Sequence, residues 1–447
     1  MPITTLPDLS QTRDRIRRGQ SSASDTMRTC IDIARSSACD RVFLRTMFEQ
    51  AQTAADDPSQ LRRPLAGLAV SVKDLFDIQG QVTGAGSRSR AGDAAAAQDC
   101  PAVARLRSAG AAIIGRTNMT EFAFSGVGIN PHFGTPANAA SRGAALIPGG
   151  SSSGAAVSVA TGTAFLGLGS DTAGSIRIPA ALNGIVGFKN TARLVPTEGA
   201  LPLSTTLDTV CAMTRSVRDA IVAHEILAAR SVTRSLAPLT GYRLAIVRTL
   251  VLDDLDATVS SAYQRTLGQL HAAGASVTEI DLPELLDLAG LMAQGGFSAA
   301  ESYALHRAAL ATAADQMDPR VVTRMQRGAA MGAADYIDLV HARRNWISRM
   351  QQRLHQFDAV VSPTVPLVAP TIASVAPGSE RDDAFFKVNG LLLRNTNVVN
   401  MFDGCALSLP CQAGDELPVG LMIWHGALRD DTVLNLGLQI EQLLRAG

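Results

Sequence analysis

The stretch PGGSSSGAAVSVATGTAFLGLGSDTAGSIRIPAALNGIVGFK, from Pro148 to Lys189, decides how this chain folds. Its opening glycines and serines predict a loop where backbones approach closely, since glycine lacks a side chain and tolerates positive φ. Ser153 or a neighbour is then expected to cap a helix that runs to about Thr161. AFLGLGS predicts a short buried strand, and DTAG predicts a sharp turn into a second helix that begins near Ser175. This order of elements is typical of an α/β fold.

The turn at Ser175 also has a chemical meaning. Two helix N-termini are expected to converge there, so free backbone N–H groups and the positive ends of two helix dipoles gather around its hydroxyl. Such donors stabilise negative charge that develops on an oxygen atom. The segment therefore predicts an oxyanion-binding pocket, and a Gly/Ser-rich loop that only packs is the alternative.

Outside this block, strand and helix patterns alternate along the chain. Strands are predicted at 65–74, 111–118, 184–189, 244–249, 275–282 and 357–363, and the segments CALSLPC and LPVGLMIWH precede the last helix. Helices are predicted at 102–109, 257–273 after a cap at Asp256, 320–355 and 431–445, and over 11–19 after a cap at Ser10. The alternation predicts one domain over 1–447 with a three-layer α/β/α architecture and a mostly buried sheet. N-terminal helices (about 1–60) and a helical region (about 285–355) are additions to it.

The composition is typical of a globular protein without a surface for nucleic acid or membranes. Hydrophobic residues make up 46% and charged residues 18% of the 447, and the net charge is zero. Six scattered cysteines form no C-x-x-C pair, which predicts reduced thiols and not disulfides. The N-terminus lacks the apolar core of a signal peptide, and the most apolar stretch, 155–169, is too short for a membrane span. We therefore expect a cytoplasmic protein.

The chain uses lysine rarely. It holds 37 arginines against three lysines, namely Lys73, Lys189 and Lys387. A lysine retained against this bias is a candidate for proton transfer, because arginine stays protonated while burial can lower the pKa of a lysine until it acts as a base. Lys73 is the strongest candidate, since it lies at the carboxyl end of a predicted strand. Lys189 is expected to be structural and Lys387 to lie on the surface.

Three other kinds of site are less well supported. The segment 150–154 matches the G-x-S-x-G nucleophile elbow around Ser152, but that motif needs a preceding strand and a partner histidine. No histidine occurs between His132 and His224. Neither G-K-[ST] nor G-x-G-x-x-G supports a phosphate site. The histidines show no metal-ligand spacing such as H-E-x-x-H, so we expect no metal and no other cofactor.

The chain closely resembles the amidase signature family. The resemblance is carried by GGSSSGAA (149–156), GSDTAGSIRIPAALNGIVGFK (169–189), VKD around Lys73, GRTNMTEFAFSGVGINPHFGTP (115–136), GCALSLP and LPVGLM. It implies a single α/β/α domain around a mixed sheet, and a Ser–cis-Ser–Lys triad that hydrolyses amides through an acyl-enzyme. By position, Ser175 matches the nucleophile, Ser151 the bridging serine in a cis peptide bond, and Lys73 the base.

The resemblance also implies what surrounds this triad. Four backbone N–H groups are implied to bind the oxyanion, those of Thr172, Ala173, Gly174 and Ser175. Three polar positions beside the triad are matched by Ser152, Asp171 and Arg177. The substrate wall is matched by Ala123, Phe124 and Ser125, together with side chains from 285–355.

The chain also departs from the family pattern. Ala173 stands where many relatives carry glycine, which is similar to allophanate hydrolases, and Asn183 and Asn190 replace a common cysteine and a common proline. None of these positions belongs to the triad, but they leave the substrate undetermined. Phe122 and Phe124 could form an aromatic or aliphatic acyl pocket or could pack in the core.

The leading hypothesis is a stand-alone hydrolase of a small-molecule amide, without a nucleic-acid or membrane partner. One alternative is a glutaminase-type subunit of a tRNA-dependent amidotransferase. Neither the neutral net charge nor the C-terminal half shows a feature that indicates an assembly that handles tRNA. The other is an allophanate or ureido-acid hydrolase, which we expect less because the chain shows no extra C-terminal domain. A homodimer is compatible with the sequence, which does not determine the acyl or amine group.

Overall fold

The computed structural model describes residues 6–446, and eleven strands within them form one sheet. The strands are β1 (Phe43–Thr46), β2 (Ala69–Lys73), β3 (Ala112–Thr117), β4 (Leu166–Asp171), β5 (Val186–Lys189), β6 (Thr209–Thr214), β7 (Arg243–Val247), β8 (Ser276–Ile280), β9 (Ala359–Pro363), β10 (Cys405–Pro410) and β11 (Gly420–His425). The helices are α1 (Leu9–Arg17), α2 (Ala23–Ala34), α3 (Phe48–Asp56), α4 (Pro101–Ser108), α5 (Ser153–Ala160), α6 (Arg177–Asn183), α7 (Val217–Ala228), α8 (Ala257–Ala272), α9 (Leu288–Leu291), α10 (Gly296–Ala313), α11 (Pro319–Gln326), α12 (Ala333–Leu354), α13 (Ile372–Val375), α14 (Asp382–Met401) and α15 (Asp430–Ala446).

The sheet is mixed and has helices packed on both faces. Its strand order is β1-β3-β2-β4-β6-β5-β10-β11-β9-β7-β8. Strand β2 is parallel to β3 and β4, β7 is parallel to β8 and β9, and the other neighbours are antiparallel. Successive residues of a strand point to opposite faces: Ile423 packs in the cluster that contains residues of α8 and α15, and Trp424 packs with residues of α12 and α14. The predicted α/β fold around a mixed, buried sheet is confirmed.

The topology brings the ends of two central strands to one place. The block 148–189 contributes α5, β4, α6 and β5, and β4 lies between β2 and β6. Strands β2 and β4 are parallel, with Val72 opposite Leu168, so their carboxyl ends meet at the same edge of the sheet. Lys73 ends β2 and Ser170 lies near the end of β4, and the two side chains therefore lie side by side.

Two predicted helix caps were wrong. Asp8 caps α1 and not Ser10: the Asp8 carboxylate accepts the N–H of Gln11 at 2.8 Å, whereas the Ser10 hydroxyl donates to Asp219 at 2.6 Å. Helix α5 has Ser152 at its N-cap position but no side-chain cap, because the hydroxyl of Ser152 donates to the carbonyl of Ser170 at 3.4 Å and that of Ser153 to the carbonyl of Asn118 at 3.3 Å. In both cases a tertiary partner takes the hydroxyl that a local cap would use.

The helix predicted over 320–355 is also interrupted. It forms α11 and α12, with a 3₁₀ turn (Arg327–Ala330) between them. Gly332 has extended backbone before α12, and its N–H donates to Asp335 at 2.9 Å in the first turn of that helix. Helix α11 packs against the segment that follows β3, where Arg324 contacts Phe124.

The remaining sequence-based expectations concern targeting and the termini. No helix between residues 6 and 446 is long and apolar enough to cross a membrane. The six cysteines are buried free thiols. Residues 1–5 of the predicted N-terminal helical region and Gly447 lie outside the described residues.

Candidate active site

Lys73 is completely buried at the carboxyl end of β2. Its ammonium nitrogen Nζ donates to the hydroxyl of Ser151 at 2.7 Å and to that of Ser170 at 2.8 Å. Burial lowers the pKa of Lys73 to about 7, outweighing the opposing effect of Asp208 and other nearby groups. A large fraction of this lysine is therefore neutral near pH 7, and the neutral amine can accept a proton through Ser151.

Ser151 contacts Lys73, and the residue that follows it contacts the turn at Ser175. The peptide bond between Gly150 and Ser151 is cis. The next residue, Ser152, donates its N–H to the carbonyl of Ser175 at 3.4 Å, which keeps the two serine segments adjacent. Because the hydroxyl of Ser151 accepts a hydrogen bond from Lys73, its own proton is free to be donated elsewhere.

A buried ion pair fixes the turn that carries Ser175. Arg177 donates to both carboxylate oxygens of Asp171, at 3.0 and 2.9 Å, and neither side chain is exposed to solvent. Asn400 and the N–H of Ile176 donate to the same carboxylate at 3.0 and 3.2 Å. Burial alone would raise the pKa of Asp171, but the charge and hydrogen bonds of Arg177 lower it to about 2, with help from other donors. The carboxylate is thus ionised and holds both ends of the turn.

Only glycine fits at the centre of this turn. Gly174 has a φ of 138°, which side chains rarely allow, and a Cβ atom there would overlap the hydroxyl of Thr396. That hydroxyl donates to the carbonyl of Ala173 at 2.6 Å and so ties the turn to α14. The carbonyl is thereby directed to the helix.

The turn leaves backbone donors unused. Among residues 6–446, no protein acceptor is bonded to the N–H groups of residues 172–175. Ser175 is 4% exposed and lies on the wall of a cavity together with Thr172 and Ala173. Four free N–H groups beside a hydroxyl can stabilise a negatively charged oxygen without reorganising.

Asp208 supports the turn from the other side, and the sequence analysis did not identify it. Its carboxylate accepts from the hydroxyl of Thr172 at 2.6 Å and from the N–H groups of Leu203 and Ser204 at 2.9 and 3.1 Å. Burial raises the pKa of Asp208 to about 6, and Glu301 adds to this effect. Asp208 follows no motif in the sequence, because its partner Thr172 lies 36 residues away in the chain.

The cavity beside Ser175 has a volume of about 380 Å³. Ala123, Phe124 and Ser125 line it, together with side chains from the 285–355 region. Phe122 does not line it and stacks on His306 with ring centroids 4.7 Å apart. A further part of the wall, which was not predicted from the sequence, comes from α14 and two loops: Leu203, Leu250, Gly390, Leu393, Arg394 and Asn397.

The other residues singled out from the sequence have structural surroundings. Ser152 is buried, and its hydroxyl donates at 3.4 Å to the carbonyl of Ser170. Lys189 is buried and donates to the carbonyls of Asn190 and Gly404 at 3.0 and 2.6 Å. Lys387 is exposed on α14. The described residues contain no group of three or more potential metal ligands.

The comparison with known families agrees with this geometry. The model of the amidase family matches residues 26–434, so the chain belongs to the amidase family, a class of hydrolases that act on the C–N bonds of amides. The family and enzyme class predicted from the sequence are thereby confirmed.

Individual proteins of this family are similar to the chain over most of its length. It is 33% identical to 2-amino-5-chloromuconic acid deaminase of Comamonas testosteroni over 397 residues, which cover 88% of this chain and 84% of the relative. It is 31% identical to one component of the glutamyl-tRNA(Gln) amidotransferase of Symbiobacterium thermophilum over 444 residues, 91% of this chain and 88% of the relative. A crystal structure of an amidase superposes with a TM-score of 0.87 at 31% identity, over 98% of this chain and 99% of that one.

Proposed function

We propose that this chain hydrolyses small-molecule amides with Ser175 as nucleophile, Ser151 as proton relay and Lys73 as general base. One observation carries the assignment: Lys73 is fully buried, and its Nζ lies 2.7 Å from the Ser151 hydroxyl. A serine hydroxyl is a weak nucleophile until a base removes its proton. Burial supplies that base, because it brings the pKa of Lys73 to about 7.

The reaction proceeds in two halves. Neutral Lys73 takes the proton of Ser151 while Ser151 takes that of Ser175, and the Ser175 oxygen attacks the amide carbon. The N–H groups of residues 172–175 hold the oxyanion. Collapse of the intermediate breaks the C–N bond, and Ser151 passes a proton to the leaving amine, leaving an acyl ester on Ser175. Water then attacks the ester through the same relay and releases the carboxylic acid.

Asp171 and Arg177 position this machinery and transfer no proton. Their buried pair fixes the turn from β4 to α6, and therefore the direction in which the free N–H groups point. Ser152 serves the same purpose through its bond to the carbonyl of Ser175. In our proposal, Ala123, Phe124 and Ser125 form part of the wall that contacts the substrate.

We favour a stand-alone enzyme over a component that supplies ammonia to a complex. Half of the residues that line the cavity are leucine, alanine or methionine, which suits a substrate with an apolar chain. One relative is a deaminase of 2-amino-5-chloromuconic acid and another is an amidotransferase component. The second candidate function is therefore the glutaminase role. The third is an allophanate-type hydrolase, because the segment DTAGS (171–175) is similar to that of allophanate hydrolases. Six free cysteines agree with a cytoplasmic location.

A hydrolysis screen of the purified chain alone tests this proposal. Release of ammonia or amine would be measured with aliphatic, aromatic and amino-acid amides and with ureido acids, and with Ser175→Ala as the catalytic control. We expect turnover of at least one amide by the wild type and none by Ser175→Ala, with unchanged thermal stability. Activity on glutamine alone, and only after the other amidotransferase components are added, would replace the stand-alone interpretation with the glutaminase role.

A further inference from the structure

Arg324 lines the cavity, and part of its guanidinium group is available to a ligand. It lies in α11, and its guanidinium carbon sits 4.3 Å from the centre of the Phe124 ring. Nη1 donates to the carbonyl of Phe124. Among residues 6–446, Nε and Nη2 have no hydrogen-bond partner, and neither is shut off from the cavity or solvent. One guanidinium nitrogen of Arg324 is therefore bonded within the protein, and the N–H groups of Nε and Nη2 are available to a ligand.

No carboxylate compensates this charge. Within the described chain no Asp or Glu oxygen lies within 4.0 Å of the Arg324 guanidinium, whereas Arg320, one turn earlier in α11, pairs with Asp382 at 2.6 Å. Burial, together with the nearby charge of Arg327, lowers the pKa of Arg324 to about 10. A cation held in an apolar wall without an anion is unfavourable, and an incoming carboxylate would remove that penalty.

A second arginine adds to the positive potential of the same wall. Arg394 and Asn397 of α14 both line the cavity. Arg394 forms no ion pair in the described chain; Asp253 and Asp254 raise its pKa only from a distance, against the lowering by burial. Among residues 6–446, its Nη2 has no hydrogen-bond partner, and neither has Oδ1 of Asn397. The described lining residues include two arginines and no acid.

We propose, on the basis of the proposed hydrolysis at Ser175, that the cavity selects amides that also carry a carboxylate, bound by Nε and Nη2 of Arg324. Two parallel N–H donors match the two oxygens of a carboxylate. The leucine and methionine side chains of the cavity wall suit an apolar spacer, so the substrate class is a monoamide of a dicarboxylic acid. An α-ammonium group would find no acidic partner there, which disfavours glutamine.

Matched pairs of amides test this selectivity. The probes are succinamate, glutaramate and adipamate, each compared with the neutral amide that has a methyl group in place of the carboxylate, and with glutamine. We expect wild type to have a higher kcat/KM for at least one anionic amide than for its neutral partner or glutamine. Hydrogen bonds to a charged group are worth roughly 10- to 100-fold in affinity, so Arg324→Met should lower the anionic-to-neutral ratio by about that factor.

Two further variants separate charge from geometry. Arg324→Lys keeps the charge without the fork, and we expect an intermediate ratio. Arg327→Met removes the neighbouring exposed charge and should leave the ratio at the wild-type value. Equal kcat/KM for anionic and neutral amides in wild type, or an equal effect of Arg324→Met on both, would overturn the carboxylate site while leaving the proposed hydrolysis in place.

A binding measurement keeps the two proposals apart. Ser175→Ala would be titrated calorimetrically with the same three monoamides, alone and combined with Arg324→Met. Binding that is lost with Arg324→Met supports the carboxylate site even if wild type hydrolyses no amide, in which case the proposed function fails alone. Absence of binding for all three probes, or binding that Arg324→Met does not weaken, refutes the site.

Discussion

Replacing Lys73 by arginine separates proton transfer from positive charge. Arginine retains a cation at the end of β2 but holds its proton far more tightly than lysine. In this structure Lys73 loses most of its basicity through burial, since its pKa falls from 10.5 to about 7. If the side chain acts as a base, the variant should be nearly as inactive as Lys73→Met.

The size of the loss follows from the neutral fraction. The same burial effect would take an arginine from a reference pKa of about 12.5–13.8 to roughly 9–10. At pH 7 about half of the lysines would be neutral, against roughly one arginine in 100 to 1,000. We therefore expect kcat/KM to fall by two to three orders of magnitude, in the range of about 10²–10⁴ that general bases contribute.

The assay is a profile of kcat/KM against pH for wild type, Lys73→Arg and Lys73→Met, with exposed Lys387→Arg as the control. Wild-type activity should rise through about pH 7, because the group must lose its proton to act. More than a tenth of wild-type activity in the Arg variant at pH 7, or a wild-type profile that falls above this pH, would refute the reasoning.

The same pKa shift gives a prediction for stability that does not depend on turnover. The unfolded chain binds the Lys73 proton up to about pH 10.5 and the folded chain only up to about pH 7. Because the unfolded state binds more protons in this window, the free energy of unfolding should increase with pH between these values. Urea unfolding should show that Lys73→Met flattens this increase; an identical slope in both proteins would contradict the burial effect.

Other perturbations test the turn and the chemistry. Gly174→Ala should abolish turnover, because its Cβ would overlap Thr396. Gly143 also has a positive φ but has open space around it, so Gly143→Ala should retain turnover. Equal activity of the two variants would contradict the overlap with Thr396. Arg177→Met leaves Asp171 buried without its partner, and the free energy of unfolding measured in urea should fall by about 3–5 kcal/mol. A fall of less than about 1 kcal/mol would show that the ion pair does not stabilise the fold. EDTA should leave the rate of amide hydrolysis unchanged, and inactivation that added Zn²⁺ reverses would require a metal.

Much of the fold could be predicted because its central strands carry local signals. The segments around Lys73, Ile113, Leu168 and Val361 are short apolar runs between turn residues, and each forms a buried strand. The order of strands in the sheet could not be predicted, because it depends on pairings between distant segments. Helix caps failed where a distant residue took the hydroxyl, as Asp219 does with Ser10.

In the candidate site too, residues in local motifs could be predicted, whereas residues that depend on distant contacts could not. Lys73, Ser151 and Ser175 could be proposed as the triad because their motifs and the scarcity of lysine are visible in the sequence. Asp208 was not found, because its contact with Thr172 depends on a loop fold that no local pattern announces. Arg324 was not singled out either, since a chain with 37 arginines gives no reason to choose one. What distinguishes it is a position on the cavity wall without a carboxylate partner among residues 6–446, and both features are visible only in the folded protein.

The scarcity of lysine has a practical consequence for labelling. Lys73 and Lys189 are at most 1% exposed, and Lys387 is the exposed one of the three. An amine-reactive dye should therefore attach, among the side chains of the described residues, to Lys387. This residue precedes the cavity-lining Gly390 by three positions in α14, about 4.5 Å along the helix axis. A fluorophore there would lie close enough to the cavity to report its occupancy without any engineered cysteine.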